Sequence, residues 1–374
     1  VPNLRFPKFE GEWEKMRLDA FTERVMRKNK SNQSRLPLTI SAQYGLVDQI
    51  TFFNKVVAST DLSNYYLLKK GEFAYNKSYS SDYPWGAIKR LDNYDQGALS
   101  SLYICFAPQD NVVSDFILQY FESPKWHKGI SEIAVEGARN HGLLNVAVQD
   151  FFHTYHYVPK DKKEQIKISK LLMLLDERIS TQNKIIDKLQ SLIRGIRNDV
   201  FGKFRKSVGV NAMVGEVLSY EQPQPYIVED TEYTAEGIPV LTANKAFVLG
   251  YTSETDGIYD KGDCIIFDDF TLDCKYVDFP FKVKSSAIKI LTAKDKELLR
   301  YTFEFMKYLD LSTDEHKRHY IAETQNQELF LPTAQVVRTI AHAFSALSSR
   351  MKTVTKQRDL FELQKQYLLR QMFI

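Results

Sequence analysis

The sequence lacks the features that mark several large classes of protein. Its three cysteines, Cys105, Cys264 and Cys274, have neither the number nor the spacing of a disulfide framework or a zinc site. No run of about 18 apolar residues occurs, so no transmembrane helix is expected. The first residues also lack the apolar stretch of a signal peptide. We therefore expect a protein of the reducing cytoplasm that does not contact a membrane.

Motifs for common enzymatic chemistry are also missing. The sequence has no phosphate-binding GxxxxGK[ST] loop and no dinucleotide-binding GxGxxG. It also lacks the Pro-Pro-aromatic motif found in the pocket of amino-methyltransferases. These absences predict a chain with no catalytic residues and no cofactor of its own.

Two histidine pairs and one acidic run are the sequence features closest to a metal site. They are His153 and His156, His316 and His319, and Asp263, Asp268, Asp269 and Asp273. The histidine pairs lack the glutamate or cysteine ligands that complete common zinc sites. The aspartates are spaced through a strand–turn–strand pattern, where a solvated face is the commoner role. We therefore expect no metal site.

Basic residues are concentrated in two segments, although the net charge is only +3. Residues 160–206 carry 13 Lys and Arg against 6 Asp and Glu, and residues 333–374 carry 7 against 2. Residues 207–332 have the opposite balance, with 12 basic against 22 acidic side chains. Any electrostatic binding by this last segment would need a local basic cleft within an acidic surface.

The first basic segment has the periodicity of a coiled-coil helix. Apolar residues alternate steps of four and three, interrupted only at Gln182. The predicted seam comprises Ile168, Leu172, Leu175, Ile179, Ile186, Leu189 and Ile193. A seam of this length favours a partner helix, because a helix that lies on a globular core rarely keeps a strict heptad.

A shift of 172 residues places a second seam on the C-terminal segment. It comprises Ile340, Phe344, Leu347, Met351, Val354 and Phe361, with Arg358 and Lys365 as polar interruptions. Two matching seams in one chain most simply pack on each other as an antiparallel coiled coil, a rod of roughly 50 Å for about 35 residues. The alternative is two ordinary helices within one large bundle.

The segments before the two helices also resemble each other. Lys70–Tyr75 matches Lys261–Ile266 as a glycine turn followed by an apolar strand, and Leu99–Ile104 matches Lys284–Lys289 as a serine pair before an apolar strand. The sequence thus predicts an α+β protein with a pseudo-two-fold internal repeat. Its order is a sheet-centred domain over 1–158, a long helix over 159–206, a second sheet-centred domain over 207–332 and a second long helix over 333–374.

Two segments of the sequence resemble bacterial type I restriction-modification specificity subunits. Asn3–Trp13 is similar to the start of that family, and Pro159 followed by Glu164–Leu172 and Leu175–Ile179 is similar to its first conserved helix. The second helix matches less closely, since Thr333–Val337 keeps the glutamine but lacks the glutamate. The order of domains and helices extends the resemblance over nearly the whole chain.

The resemblance implies a DNA-recognition subunit without catalysis. Each globular domain would be a target recognition domain that reads one half of a bipartite sequence in double-stranded DNA. The paired helices would set the unread spacer and dock two methyltransferase subunits. S-adenosylmethionine, ATP and Mg would then belong to partners, namely the methyltransferases and, where present, two motor-nuclease (restriction) subunits.

Candidate DNA contacts follow from side-chain chemistry. Arg, Lys, Asn and Gln can reach base edges, while Lys, Ser and Tyr can bind phosphates. The candidates are Tyr75, Asn76, Lys77, Arg90, Arg139, Asn140 and His141 in the first domain, and Asn244, Lys245, Lys275, Lys284, Lys317, Arg318 and His319 in the second. Each of these residues alone is as readily a solvated loop residue as a DNA contact.

Two other functions remain open from the sequence alone. A coiled-coil adaptor with protein-binding ends would show no salt-dependent affinity for DNA. A self-sufficient nuclease or methyltransferase, using the carboxylates of Asp263–Asp273, would turn over substrate as an isolated chain. The missing motifs oppose the second alternative.

Overall fold

The protein divides into two compact units that share its two longest helices. The computed structural model describes residues 1–55, 59, 61–134, 142–243, 246–315 and 317–374. Unit 1 comprises Val1–Thr181 and Gln357–Ile374, and unit 2 comprises Gln182–Lys356. Both divisions fall inside a long helix, so each unit contains one part of each. Within the described residues, no helix has the length and apolarity needed to cross a bilayer.

The described residues of unit 1 form three sheets and four short α-helices besides the parts of the two long helices. Its strands are β1 (Glu14–Arg17), β2 (Thr22–Arg24), β3 (Pro37–Ser41), β4 (Gly45–Asp48), β5 (Tyr66–Lys69), β6 (Phe73–Asn76), β7 (Ala87–Arg90), β8 (Gln96–Leu99), β9 (Ile104–Pro108) and β10 (Tyr155–Val158). Its short helices are α1 (Gln49–Phe53), α2 (Ser114–Glu122), α3 (His127–Ile133) and α4 (Val148–His153). The first long helix, α5 (Lys162–Ser207), begins in this unit.

The central sheet of unit 1 has the strand order β2-β9-β6-β7 and is covered on both faces. Side chains alternate across its strands, so Phe73 and Tyr75 pack into the core that also contains α2, while Ala74 faces the other core. A second sheet, β4-β3-β8-β5, has one parallel pair, β3 with β8, and the ribbon β1-β10 is antiparallel.

Unit 2 repeats this plan with different residues. Its strands are β11 (Ala212–Met213), β12 (Leu218–Glu221), β13 (Ile238–Leu241), β14 (Val248–Thr252), β15 (Cys264–Asp268), β16 (Cys274–Val277), β17 (Lys282–Val283), β18 (Ile288–Ala293) and β19 (Glu328–Leu329). Its helices are α6 (Val214–Val217), α7 (Lys296–Leu309) and the start of the second long helix, α8 (Ala334–Gln371).

The strand orders show the internal repeat directly. The order β12-β18-β15-β16 corresponds to β2-β9-β6-β7. The order β14-β13-β17 corresponds to β4-β3-β8, since the parallel pair β13 with β17 matches the parallel pair β3 with β8. The glycine-turn segments matched in the sequence lead into β6 and β15, the equivalent central strands. In β15, Ile265 and Phe267 face one core and Cys264 and Ile266 face the other. Burial on both faces explains this strand's continuous apolar run.

The two long helices pack antiparallel within each unit. In unit 1, Ile168 and Leu172 from the start of α5 share a core with Leu368 and Met372 from the end of α8. In unit 2, Phe201 near the end of α5 shares a core with Val337 and Ile340 at the start of α8. The shift of 172 residues that aligned the seams also aligns the first residues of the helices, Lys162 and Ala334. The expected fold, sheet-centred α+β units with two long helices and an internal repeat, is confirmed.

Candidate nucleic-acid interface

In unit 1, the loop that follows β6 contacts the segment that begins at Gly142. Asn76 ends β6, and its Oδ1 accepts a hydrogen bond from the Ser78 amide at 3.0 Å. The Lys77 carbonyl accepts from the Leu144 amide at 2.9 Å, and the Tyr79 amide donates to the Gly142 carbonyl at 3.1 Å. Gly142 directly follows the candidates Arg139, Asn140 and His141, which lie outside the described residues.

Tyr75 and Arg90 have structural roles. Tyr75 is fully buried, its hydroxyl donates to the Trp85 carbonyl, and its ring stacks on Phe151 at 5.0 Å between centroids. Burial also raises the pKa of this phenol. Arg90 forms ion pairs with Asp92 and Asp115, both at 2.7 Å. Since neither side chain is free to reach DNA in this conformation, we do not retain these two as candidates.

In unit 2, the basic segment 317–319 lies against the loop that carries Lys284. Arg318 Nη1 donates to the Ser286 carbonyl at 3.1 Å, and the guanidinium lies over the ring of Phe270. Lys284 is exposed, and its amide donates to the Leu241 carbonyl at 3.1 Å. The structure therefore brings Lys284 and Arg318, which are 34 positions apart in the sequence, to one loop cluster.

A buried carboxylate holds this basic segment in place. Asp269 Oδ1 accepts from the amides of His319 at 3.0 Å and Tyr320 at 2.7 Å, and its Oδ2 lies 3.5 Å from Arg318 Nη1. Its counter-ion is Lys289, itself only 2% exposed, at 3.6 Å. A lysine between the isoleucines of β18 is a sequence signal for a buried ion pair, although the pattern does not identify Asp269 as the partner.

The remaining candidate residues of unit 2 differ in burial and in whether an acidic side chain already binds them. Lys317 lies between Glu315 at 2.5 Å and Glu323 at 2.9 Å, and these hydrogen bonds raise its pKa. His319 is buried, and its hydrogen bond to Glu323 raises the pKa of the imidazole. Lys275 is half-buried on β16. Asn244 and Lys245 lie outside the described residues. Lys284 and Arg318 are thus the better-placed cations.

None of the residues predicted for the helix seam is fully exposed. Each is buried or half-buried: Ile168, Leu172, Leu175, Ile179, Ile186, Leu189, Ile193, Ile340, Phe344, Leu347, Met351, Val354 and Phe361. The polar seam position Lys365 forms an ion pair with Asp176 at 2.5 Å, and Arg358 pairs with Asp359 at 2.6 Å. A basic side chain in an apolar seam requires such a partner, although the seam pattern does not identify which acidic residue supplies it.

The acidic run of unit 2 is used within the fold. Asp263 accepts from the Tyr276 hydroxyl and pairs with Lys296, and the Asp268 side chain accepts from the amides of Phe270 and Thr271. Among the described residues, no group of three or more His, Cys, Asp or Glu side chains could hold a metal ion.

His156 of the first histidine pair is a core residue. Thr154 Oγ1 donates its single proton to the Phe151 carbonyl, so it accepts from His156 Nε2, and His156 Nδ1 accepts from the Tyr120 hydroxyl. The ring is therefore the neutral Nε2–H tautomer, and burial lowers the pKa of His156 to about 3. His153 is exposed.

This burial predicts an acid-sensitive unit 1. The unfolded chain binds a proton at His156 below its ordinary pKa of 6.5, whereas the folded chain does not until about 3, so stability falls as the pH falls between these values. The expected loss between pH 7 and pH 5 is about 2 kcal/mol. All three tryptophans lie in unit 1, so urea unfolding followed by tryptophan fluorescence reports this unit.

The exposed histidine provides the matched control for this measurement. His156→Gln should flatten the pH dependence of the unfolding free energy, while His153→Gln should leave it unchanged. An unchanged slope in His156→Gln would show that another group causes the acid sensitivity.

Comparison with solved structures identifies this architecture. The S subunit of a type I restriction-modification system from M. genitalium matches over 100% of this chain and 99% of its own, with a TM-score of 0.67 and 15% sequence identity. The chain has the fold of a type I specificity subunit. Another solved chain comes from work on complex assembly and conformational transition of the type I R-M system. Its alignment covers 97% of this chain and 97% of that chain, with a TM-score of 0.50 and 13% sequence identity.

A curated relative supports the same resemblance in sequence. The type I restriction enzyme EcoR124I/EcoR124II specificity subunit of Escherichia coli is 45% identical over 126 residues, which cover 32% of this chain. The chain matches about a third of that relative's length, since the aligned part is 31% of it. No family model matches the chain. The resemblance to specificity subunits that the sequence predicted is confirmed by these findings.

Proposed function

We propose that this chain is the non-catalytic, sequence-reading subunit of a cytoplasmic type I restriction-modification complex. The observation that carries the proposal is the repeat of one strand topology in two units, each continuous with a long helix. A symmetric dimer reads two identical half-sites, whereas a repeat within one chain can diverge so that each unit reads a different half. The proposed DNA contacts are Lys284 and Arg318 in unit 2 and Lys77 in unit 1.

The proposed catalytic partners are two methyltransferase subunits that use S-adenosylmethionine, joined in cleaving systems by two motor-nuclease subunits that use ATP and Mg. An apolar stripe on α8 fits a protein partner. Leu360, Leu363 and Tyr367 are 55%, 67% and 60% exposed, and their spacing puts them on one helix face. Large exposed apolar side chains in a row are typical of a protein-binding surface.

Mapping of methylated adenines tests this function. The gene is expressed with its methyltransferase partner in a host that lacks both, and genomic DNA is sequenced for N6-methyladenine. The proposal expects one bipartite motif with a fixed gap, which disappears when the gene for this chain is omitted. Methylation that persists without this chain, or a motif without a gap, would contradict it.

A single lysine substitution should reveal its phosphate contact. Lys284→Ala is expected to weaken DNA binding by the complex and to reduce the slope of log affinity against log salt by about 1, because one fewer counterion is released. Lys203→Ala is the control, since Lys203 is paired with Asp199 on α5. Equal slopes for the wild type and Lys284→Ala would remove Lys284 from the interface.

A further inference from the structure

A cluster of buried charged side chains in unit 2 lies between α7 and the first long helix, α5. Glu304 is 1% exposed. Its Oε2 accepts from Arg197 Nε at 3.0 Å and Nη2 at 2.7 Å, and its Oε1 accepts from Arg300 Nη2 at 2.6 Å. Arg197 lies on α5, so the cluster formed by Arg197, Arg300 and Glu304 links α7 to the first long helix. We call it the Glu304 cluster.

Arg300 extends the link to the second long helix. Its Nη2 also donates to the Phe344 carbonyl at 3.3 Å and to the Ser348 hydroxyl, both on α8. Its guanidinium lies 4.9 Å from the ring centroid of Tyr276 on β16. One side chain therefore contacts α7, α8 and the central sheet, and through Glu304 it reaches α5.

Stability alone is a weak reason for this cluster. The rings of Tyr301 and Phe305 on α7 already pack on Phe201 of α5, with centroids 5.3 and 5.4 Å away. Buried ion pairs often add little to stability compared with apolar packing, because desolvation of the charges offsets their attraction. Unlike apolar contacts, buried ion pairs are directional, since an arginine that donates two hydrogen bonds to a carboxylate accepts only a narrow range of geometries.

Unit 1 has a three-way link of the same kind, made of different residues. Gln119 on α2 donates to Asp176 Oδ2 on α5 at 2.8 Å, and Asp176 Oδ1 accepts from Lys365 on α8 at 2.5 Å. Gln119 is 1% exposed. Each unit thus ties its own short helix to both long helices through directional polar contacts. The recurrence with unrelated side chains argues for a shared requirement for a fixed orientation.

We propose that Arg197, Arg300 and Glu304 are positioning residues that fix how the sheets of unit 2 are oriented on the long helices, and that this orientation determines which DNA gap the complex accepts. The inference rests on the proposed function, because it presupposes a bipartite target. The cluster does not read bases, so its loss should change the accepted gap and leave both half-sequences unchanged.

The test measures methylation by the purified complex of this chain with its methyltransferase partner. The substrates are duplexes that carry both half-sequences with the native gap, or with the gap one base pair shorter or longer. Glu304→Gln keeps the shape but removes the charge, and Arg197→Lys keeps the charge but removes the two-pronged geometry. Both variants are expected to lower the preference for the native gap by roughly 10-fold, since small misplacements at a reacting site cost this much or more.

The matched control is Phe305→Leu, which loosens the same core without touching the charges. It should keep the wild-type gap preference even where it lowers thermal stability. The inference is overturned if Glu304→Gln and Arg197→Lys keep the wild-type preference, or if Phe305→Leu loses it equally. Should Glu304→Gln fail to fold, Arg197→Lys and Ser348→Ala decide the outcome. Failure of the wild-type complex to methylate any gapped duplex would instead refute the proposed function itself.

Discussion

Insertion of four residues after Gln182 is expected to lengthen the gap of the methylated sequence by about one base pair without changing either half-sequence. The division between the units falls immediately before Gln182, so neither core is interrupted there. Four added residues rotate the helix after the insertion by about 40° beyond a full turn and lengthen it by about 6 Å. One base pair turns DNA by about 34–36°, so the rotation of the added segment matches one base pair closely.

The seam is also suited to an insertion at this position. Gln182 is the polar interruption of the heptad, and its buried Oε1 has no hydrogen-bond partner among the described residues. A four-residue insertion acts as a stutter, which coiled coils absorb by local unwinding. Sequencing of N6-methyladenine in a host that expresses the variant complex gives the new gap directly.

A three-residue insertion at the same position is the control. It turns the helix by about 60° in the opposite sense, which no single added base pair can follow, so methylation should be lost. A changed half-sequence with an unchanged gap in the four-residue variant would contradict the idea that the helices set the spacing.

Glu164→Ala is expected to destabilise unit 1 by about 3 kcal/mol, because it removes a buried carboxylate that accepts from the half-buried Arg5 guanidinium and from the buried Trp13 indole. Glu164 is 1% exposed at the start of α5, and its carboxylate accepts from Arg5 at 2.7 and 2.8 Å and from the Trp13 indole at 3.3 Å. It anchors the first residues of the chain, where the Leu4 amide also donates to the Gln371 carbonyl of α8.

Urea unfolding with tryptophan fluorescence measures this loss in unit 1 alone, since Trp13, Trp85 and Trp126 all lie there. Glu177→Ala on the exposed face of the same helix is the matched control and should change stability by less than about 0.5 kcal/mol. Equal midpoints for the two variants would show that Glu164 is not the anchor.

Side-chain type alone did not show which of the candidate DNA contacts are free to bind. Tyr75 and Arg90 have side-chain types that suit DNA, yet one lies in an aromatic core and the other is bound by two carboxylates. Conversely, Asp269 and Lys289 were not among the candidate DNA contacts, although they hold the segment with Arg318 in place. Side-chain chemistry says what a residue can bind, but whether it is free to bind depends on its neighbours in space.

The sequence by itself determined the long helices, their seams and the repeat of strand patterns, because these depend on the spacing of apolar residues along a short stretch of chain. Only the tertiary structure decided the polar contacts: Arg197 with Glu304, 107 positions apart, and Arg5 with Glu164, 159 apart. Such pairs leave no local period, since each forms only when distant segments meet at hydrogen-bonding distance in a low-dielectric core, where a charge without its partner is costly.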